Sequence, residues 1–204
     1  MKILITTILL VFLNVCERPP VGKEINRNSA APSSVDHSSM KHPMASSPNA
    51  ASAPFELQFI DTMIAHHQGA IDMAELADTR AQREEVKTLA KAVIADQQRE
   101  IARLRSWRAE WFGEAELAIN MDFPGMRKGM AAMDIGKLDR LKATPFDIEF
   151  VKQMIPHHES AVAMAEAVSE QDVHVELKDL ASGIIKTQSA EVDVMNRWLA
   201  EWTK

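Results

Sequence analysis

The chain has 204 residues, 46% of them hydrophobic, and a net charge of −6. That is one domain of ordinary size with terminal extensions, and the negative balance excludes the electrostatic footprint of a nucleic-acid-binding protein. Twelve Met, no Tyr and only seven Gly lean the composition towards helix, because chain breakers and β-branched runs are scarce.

The N-terminus reads as an export signal. Met1-Lys2 gives a positive start, and Ile3 to Val15 is an almost unbroken apolar run. A run of that length falls short of the roughly 20 residues a spanning helix takes but suits the apolar core of a signal peptide. The single cysteine, Cys16, stands where the run ends. A lone Cys makes no internal disulfide, and its position suggests lipoprotein processing. The preceding Leu13-Asn14-Val15 lacks the small residue such a site usually carries, so the competing reading is ordinary cleavage nearby. Residues 1–16 are thus assigned to the signal and residues 17–53, rich in Ser, Pro, Ala and Asn, to a flexible tether. Inside the tether, His37, Met40, His42 and Met44 form a short tract of metal-binding composition.

The body, residues 54–204, is an internal repeat. FELQFIDTMIAHHQGAIDMAELA at 55–77 returns as FDIEFVKQMIPHHESAVAMAEAV at 146–168, an offset of 91 residues. The same offset pairs Ile94, Gln97, Glu100, Leu104, Trp107 and Trp111 with Ile185, Gln188, Glu191, Met195, Trp198 and Trp202. Two blocks sharing one spacing mark a tandem duplication. Phe59, Met63, Ala70, Ala74 and Ala77 follow a helical stripe, as do Ala90, Ile94, Gln97, Ile101, Leu104 and Trp111. The spacing predicts helices over about 55–78, 83–111, 146–168 and 172–202. Their short links make each pair an antiparallel hairpin. The expected fold is an all-α four-helix bundle built from two duplicated hairpins. The long connection, 112–145, has room for a short helix near 126–141. Pro156 inside the third helix either bends it just before a His pair or marks strain that packing tolerates.

The repeated core is Met-Ile-x-His-His-x-x-Ala-x-x-Met-Ala-Glu. It supplies Met63, His66, His67 and Met73 in one half and Met154, His157, His158 and Met164 in the other. Adjacent helical residues diverge by roughly 100°, so the two His of a pair cannot aim at one atom. Thioether is a soft ligand and imidazole a borderline one, a combination that selects Cu(I), Ag(I) or, with more nitrogen, Cu(II). Ca and Mg want oxygen, and the body has no Cys for a zinc-thiolate site. A di-iron bundle wants Glu three residues before His, but Met63 and Met154 stand there. Glu100 and Glu191 recur near the apolar stripe, placed either to hold a free His N–H or to make a flanking salt bridge. Met126 and Met130, with Met133, share one face of the connection, as further ligands or as packing that closes the bundle's end. The four Trp sit at helix ends, where they pack the tips or meet a partner.

At Met63-Ile64-Ala65-His66-His67, at Met154-Ile155-Pro156-His157-His158, at the trailing Ala-x-x-Met-Ala-Glu and at Pro124-Gly125-Met126, the chain resembles the family of small exported bacterial proteins that includes the CopM-type copper-binding proteins. The resemblance covers about residues 55–204. It implies a ferritin-like helical bundle, an envelope location, and binding of Cu(I), Cu(II) and Ag(I) for resistance or trafficking. It also implies that the His pairs and their Met neighbours are ligands, without fixing which His of each pair binds. Three function classes follow: a copper- or silver-sequestering or carrier protein serving an envelope transporter or chaperone, a metal-dependent redox enzyme, and a non-metal helical interaction module. The first is favoured. No nucleophile with its base and no phosphate-cradling glycine loop is present in the sequence, and the only membrane attachment foreseen is a lipid at Cys16.

Overall fold

The computed structural model describes residues 45–204. A 3-10 turn (Ala50–Ser52) precedes α1 (Phe55–Arg80), α2 (Glu84–Phe112), α3 (Met126–Ala132), α4 (Ile135–Arg140), α5 (Ala143–Ser169) and α6 (Val175–Trp202). The four long helices match the sequence expectation to within a few residues. The short helix expected in the connection is split in two, because Met133 takes extended backbone and Asp134 starts α4 by capping the Lys137 amide. α5 stays helical through Pro156.

The contacts between helix ends fix the topology. Arg80, at the end of α1, reaches Asp139 and the Leu141 carbonyl just before α5. Glu56, at the start of α1, accepts from the His174 amide just after α5. α1 and α5 therefore run antiparallel, and each packs most extensively on its own hairpin partner, α2 or α6. This explains why α1 is buried around most of its circumference, from Leu57 to Ala77. A helix apolar on nearly all sides belongs inside a bundle.

The two halves obey a pseudo-two-fold relation in their contacts as well as in their sequence. Glu56 holds the N-cap residue of α6, His174; its repeat equivalent Asp147 holds the N-cap residue of α2, Arg83, through its amide. Neither helix start has a side-chain cap of its own, so the opposite hairpin satisfies amides that would otherwise be orphaned. Trp111 stacks on His174, with ring centroids 4.0 Å apart, and its equivalent Trp202 lies under the Arg83 guanidinium at 4.3 Å. Trp107 and Trp198 extend these two stacks. The Trp residues thus pack the ends of the bundle.

The connection is pinned to α1. Buried Asp61 pairs with Arg108 and accepts from the Ala118 amide, and Thr62 accepts from the Asn120 amide. Ser46 and Ser47 bond to the backbone of Met121 and Ile119, so the residues just before the 3-10 turn lie against this segment. Buried apolar side chains form two clusters. One holds Phe59, Met63, Met126, Met130 and Met164; the other holds Met73, Phe146, Phe150, Met154 and Met195. No helix among the described residues is long and apolar enough to cross a membrane.

Candidate metal centre

All four repeated histidines are fully buried. Each pair diverges, as helical geometry demands: the ring centroids are 6.2 Å apart for His66 and His67 and 6.5 Å for His157 and His158. The first His of each pair faces the other half across the α1–α5 seam, where the His66 and His157 rings approach to 3.8 Å. The second His faces its own hairpin partner. His67 Nε2 lies 2.7 Å from Glu100, and His158 Nε2 lies 2.9 Å from Glu191. The His158 contact is an aligned hydrogen bond, whereas the close His67 contact is off the N–H direction.

These contacts assign the tautomers. A nitrogen hydrogen-bonded to a carboxylate carries the proton, so His158 is protonated at Nε2, and Glu100 at 2.7 Å favours the same tautomer for His67. For His66 the assignment runs through Ser160. The Ser160 hydroxyl donates its one proton to the His157 carbonyl at 2.6 Å, so it can only accept from His66 Nε2, also at 2.6 Å. His66 is therefore protonated at Nε2 as well. In all three imidazoles the other nitrogen, Nδ1, is a buried lone pair that meets no hydrogen-bond donor. The side-chain carbonyls of Gln97 and Gln188, one turn before Glu100 and Glu191, are buried without a donor too. Burial pushes the His66 pKa well below the usual imidazole range, and the neighbouring His67 and His158 push it the same way. His66 is neutral at physiological pH and keeps that lone pair.

The Met residues are distributed across the halves. Met63 of the first half shares a cluster with Met164 of the second, and Met154 of the second shares the other cluster with Met73 of the first. Met126 and Met130 join the Met63–Met164 cluster. Thus Met63 and Met73 do not meet in one site, as their separation of about 15 Å along a helix requires. Glu166 is exposed and Glu75 half-buried. Among the described residues no three His, Cys, Asp or Glu side chains converge on one point, so a centre with three or more ligands here needs donors of another kind. Thioether is the donor at hand. A cleft of about 320 Å³ between α2 and α6, lined by Asp96, Arg99, Glu100, Arg103, Gly183 and Thr187, brings solvent to Glu100.

His37, Met40, His42 and Met44, with Cys16 and the export signal, lie outside the described residues. The sequence reading overlooked Ser160. Its signal was a break in the repeat: Ser160 stands where the first half has Gly69.

Fold and site together define a helical bundle of two duplicated hairpins with an imidazole- and thioether-lined interior. The chain belongs to the DUF305 family, described as a domain of unknown function, which it matches over residues 56–199. It is similar to the solved structure of CopM in its Cu(I)-bound form: 38% identity, TM-score 0.63, covering 73% of this chain and 98% of that one. CopM has also been solved in Cu(II)-bound and silver-bound forms. A DUF305 fragment from Deinococcus radiodurans is 26% identical, with a TM-score of 0.62 over 73% of this chain and 97% of that one. No curated protein matches the chain.

Proposed function

We propose that this protein binds copper and silver ions in the cell envelope, for sequestration or trafficking, and is not an enzyme. The observation that carries the reading is the set of buried lone pairs. His66, His67 and His158 each hold an Nδ1 with no donor, and Gln97 and Gln188 each hold such a carbonyl. A buried polar atom left unpaired costs about 1–3 kcal/mol. An imidazole lone pair left bare in an interior that also holds thioethers suits a soft or borderline cation. Glu100 and Glu191 act on the far nitrogen of their imidazoles, as carboxylates behind metal-bound His do, orienting the ring and raising its basicity. Copper and silver in the related CopM structures support the choice of ion.

The ligands are His66, His67, His157 and His158 with Met63, Met154, Met73 and Met164, and Met126 and Met130 stand beside them in the connection. His37, Met40, His42 and Met44 form a second, tether-borne capture site. The N-terminal apolar run and Cys16 support export, with lipid attachment at Cys16. An envelope transporter or chaperone is the natural recipient of the ion.

The test is a Cu(I) titration of the full chain against a competing chelator under anaerobic conditions, with thermal melting alongside. Saturable binding should raise the melting temperature, because an ion held only by the folded state adds about 2.7 kcal/mol at 100 times Kd. Replacing His66, His67, His157 and His158 together should abolish that rise while helicity persists. Undiminished affinity in this variant with no rise in melting temperature would move the site to the tether.

A further inference from the structure

The histidine layer is closed almost all round. Gly129 of α3 crosses over His66 so closely that a Cβ there would stand 2.7 Å from His66 Nε2 and collide with Ser160 Oγ. The Met133 thioether fills the space that Gly69 leaves in α1, where a Cβ would stand 2.7 Å from its Sδ. Met126 and Met130 of the same α3 segment are buried. The ends of the bundle are shut by the Trp stacks on His174 and Arg83, and the two helices of each hairpin pack extensively on each other.

The side between α2 and α6 differs. The cleft of about 320 Å³ there has Glu100 in its wall, and Glu100 stands 2.7 Å from fully buried His67. Gly183 of α6, also in the wall, keeps the cleft open, since a Cβ there would meet nothing within 4 Å. Arg99 is held by Asp96, and the Arg103 guanidinium lies 4.9 Å from the Trp107 ring centroid. The carboxylate of Glu100 pairs instead with His67. The cleft also breaks the repeat. Asp96 and Thr187 are equivalent positions and both line it, but Arg99, Arg103 and Gly183 become Ala190, Val194 and Ala92 in the opposite half. The charged rim and the missing side chain are therefore found beside Glu100 and not beside Glu191.

We infer that this cleft is the entrance through which a metal ion reaches the histidine layer, and that Glu100 is the group the ion meets at its floor. This rests on the proposed metal-binding reading and deepens it by giving the site a one-sided route. A carboxylate attracts a cation and replaces part of its water shell, but oxygen is a poor match for a soft ion. The ion is therefore held briefly and passes on to softer donors. Glu100 is 19% exposed, so its side chain can swing into the cleft without displacing a helix.

The experiment follows Cu(I) uptake and release by the full chain under anaerobic conditions, with a chromophoric chelator first as source and then, in excess, as sink. The bundle phase is the one lost when His66, His67, His157 and His158 are replaced together. Gly183→Leu plugs the cleft, and Thr187→Leu gives a second plug on the same helix. Each should slow that phase about tenfold or more in both directions. Kd should stay unchanged, because an obstacle outside the site alters the barrier and not the end states. Ala92→Leu, the repeat equivalent of Gly183→Leu, should alter neither rate. Glu100→Gln should slow uptake more than Glu191→Gln does, whereas equal supporting roles would slow it equally. Unchanged rates in a plugged variant that keeps its helicity by circular dichroism, or equal slowing by Ala92→Leu, would overturn the inference and leave the binding reading standing. A parent chain with no bundle phase would end both.

Discussion

The Ser160 hydroxyl lies 2.6 Å from His66 Nε2 across the seam between the two halves, and it spends its own proton on the His157 carbonyl. One serine thus ties the first imidazole of one repeat to the backbone beneath the first imidazole of the other. Ser160→Ala should leave a buried N–H without an acceptor and cost about 1–3 kcal/mol. Chemical denaturation of the metal-free protein checks this. Ser160→Gly, which restores the residue of the first half, should cost at least as much, since it adds a mid-helix glycine.

Glu100 and Glu191 each stand against the second His of their own half and are only partly exposed, 19% and 17%. Glu100→Gln or Glu191→Gln keeps the shape and removes the charge that favours Nε2–H. Each should lower metal affinity about 10–100-fold while the helical content measured by circular dichroism stays constant. A chelator competition assay reads the affinity. An unchanged affinity in both variants would reduce these pairs to packing contacts.

Much of this was legible in the sequence because the duplication reports twice. A His-His pair in a Met frame could be structural once; at two positions 91 residues apart it points to a candidate site. The recurrence of Glu100 and Glu191 likewise marked a carboxylate either behind an imidazole or in a flanking salt bridge, and the contacts to His67 and His158 favour the first. What the repeat could not show is whatever breaks it. Gly69 against Ser160 is a single difference, and its meaning depends on Met133 and Gly129 from a connection with no counterpart. The regrouping of the methionines, Met63 with Met164 and Met73 with Met154, was equally hidden. It depends on how far α1 and α5 slide past each other, which helical periodicity does not encode.

Two glycines separate a packing role from a merely tolerated one. Gly129→Ala would drive a methyl group into Ser160 and His66, and overpacking of that kind costs about 1–3 kcal/mol. Gly183, in the middle of α6, has nothing within 4 Å of its would-be Cβ. Gly183→Ala should therefore stabilise the protein by about 0.5–1 kcal/mol through helix propensity alone. Urea melts of the two variants should move in opposite directions.

The pH dependence of the metal-free fold follows from His66. Burial, then the neighbouring His67 and His158, depress its pKa in the folded state, whereas the unfolded chain has the ordinary value of about 6.5. Below that pH the unfolded state binds the proton and the folded state does not. Stability is therefore full above about pH 6.5 and falls as the pH drops, at up to about 1.4 kcal/mol per pH unit from this one group. Denaturant midpoints measured between about pH 5 and 8 should show that fall, and His66→Gln should flatten it. Copper or silver bound at Nδ1 would occupy a lone pair that the folded state already keeps unprotonated. Loading the protein with Ag(I) should therefore raise the denaturant midpoint at every pH and leave this slope in place, since only the unfolded state takes up the proton.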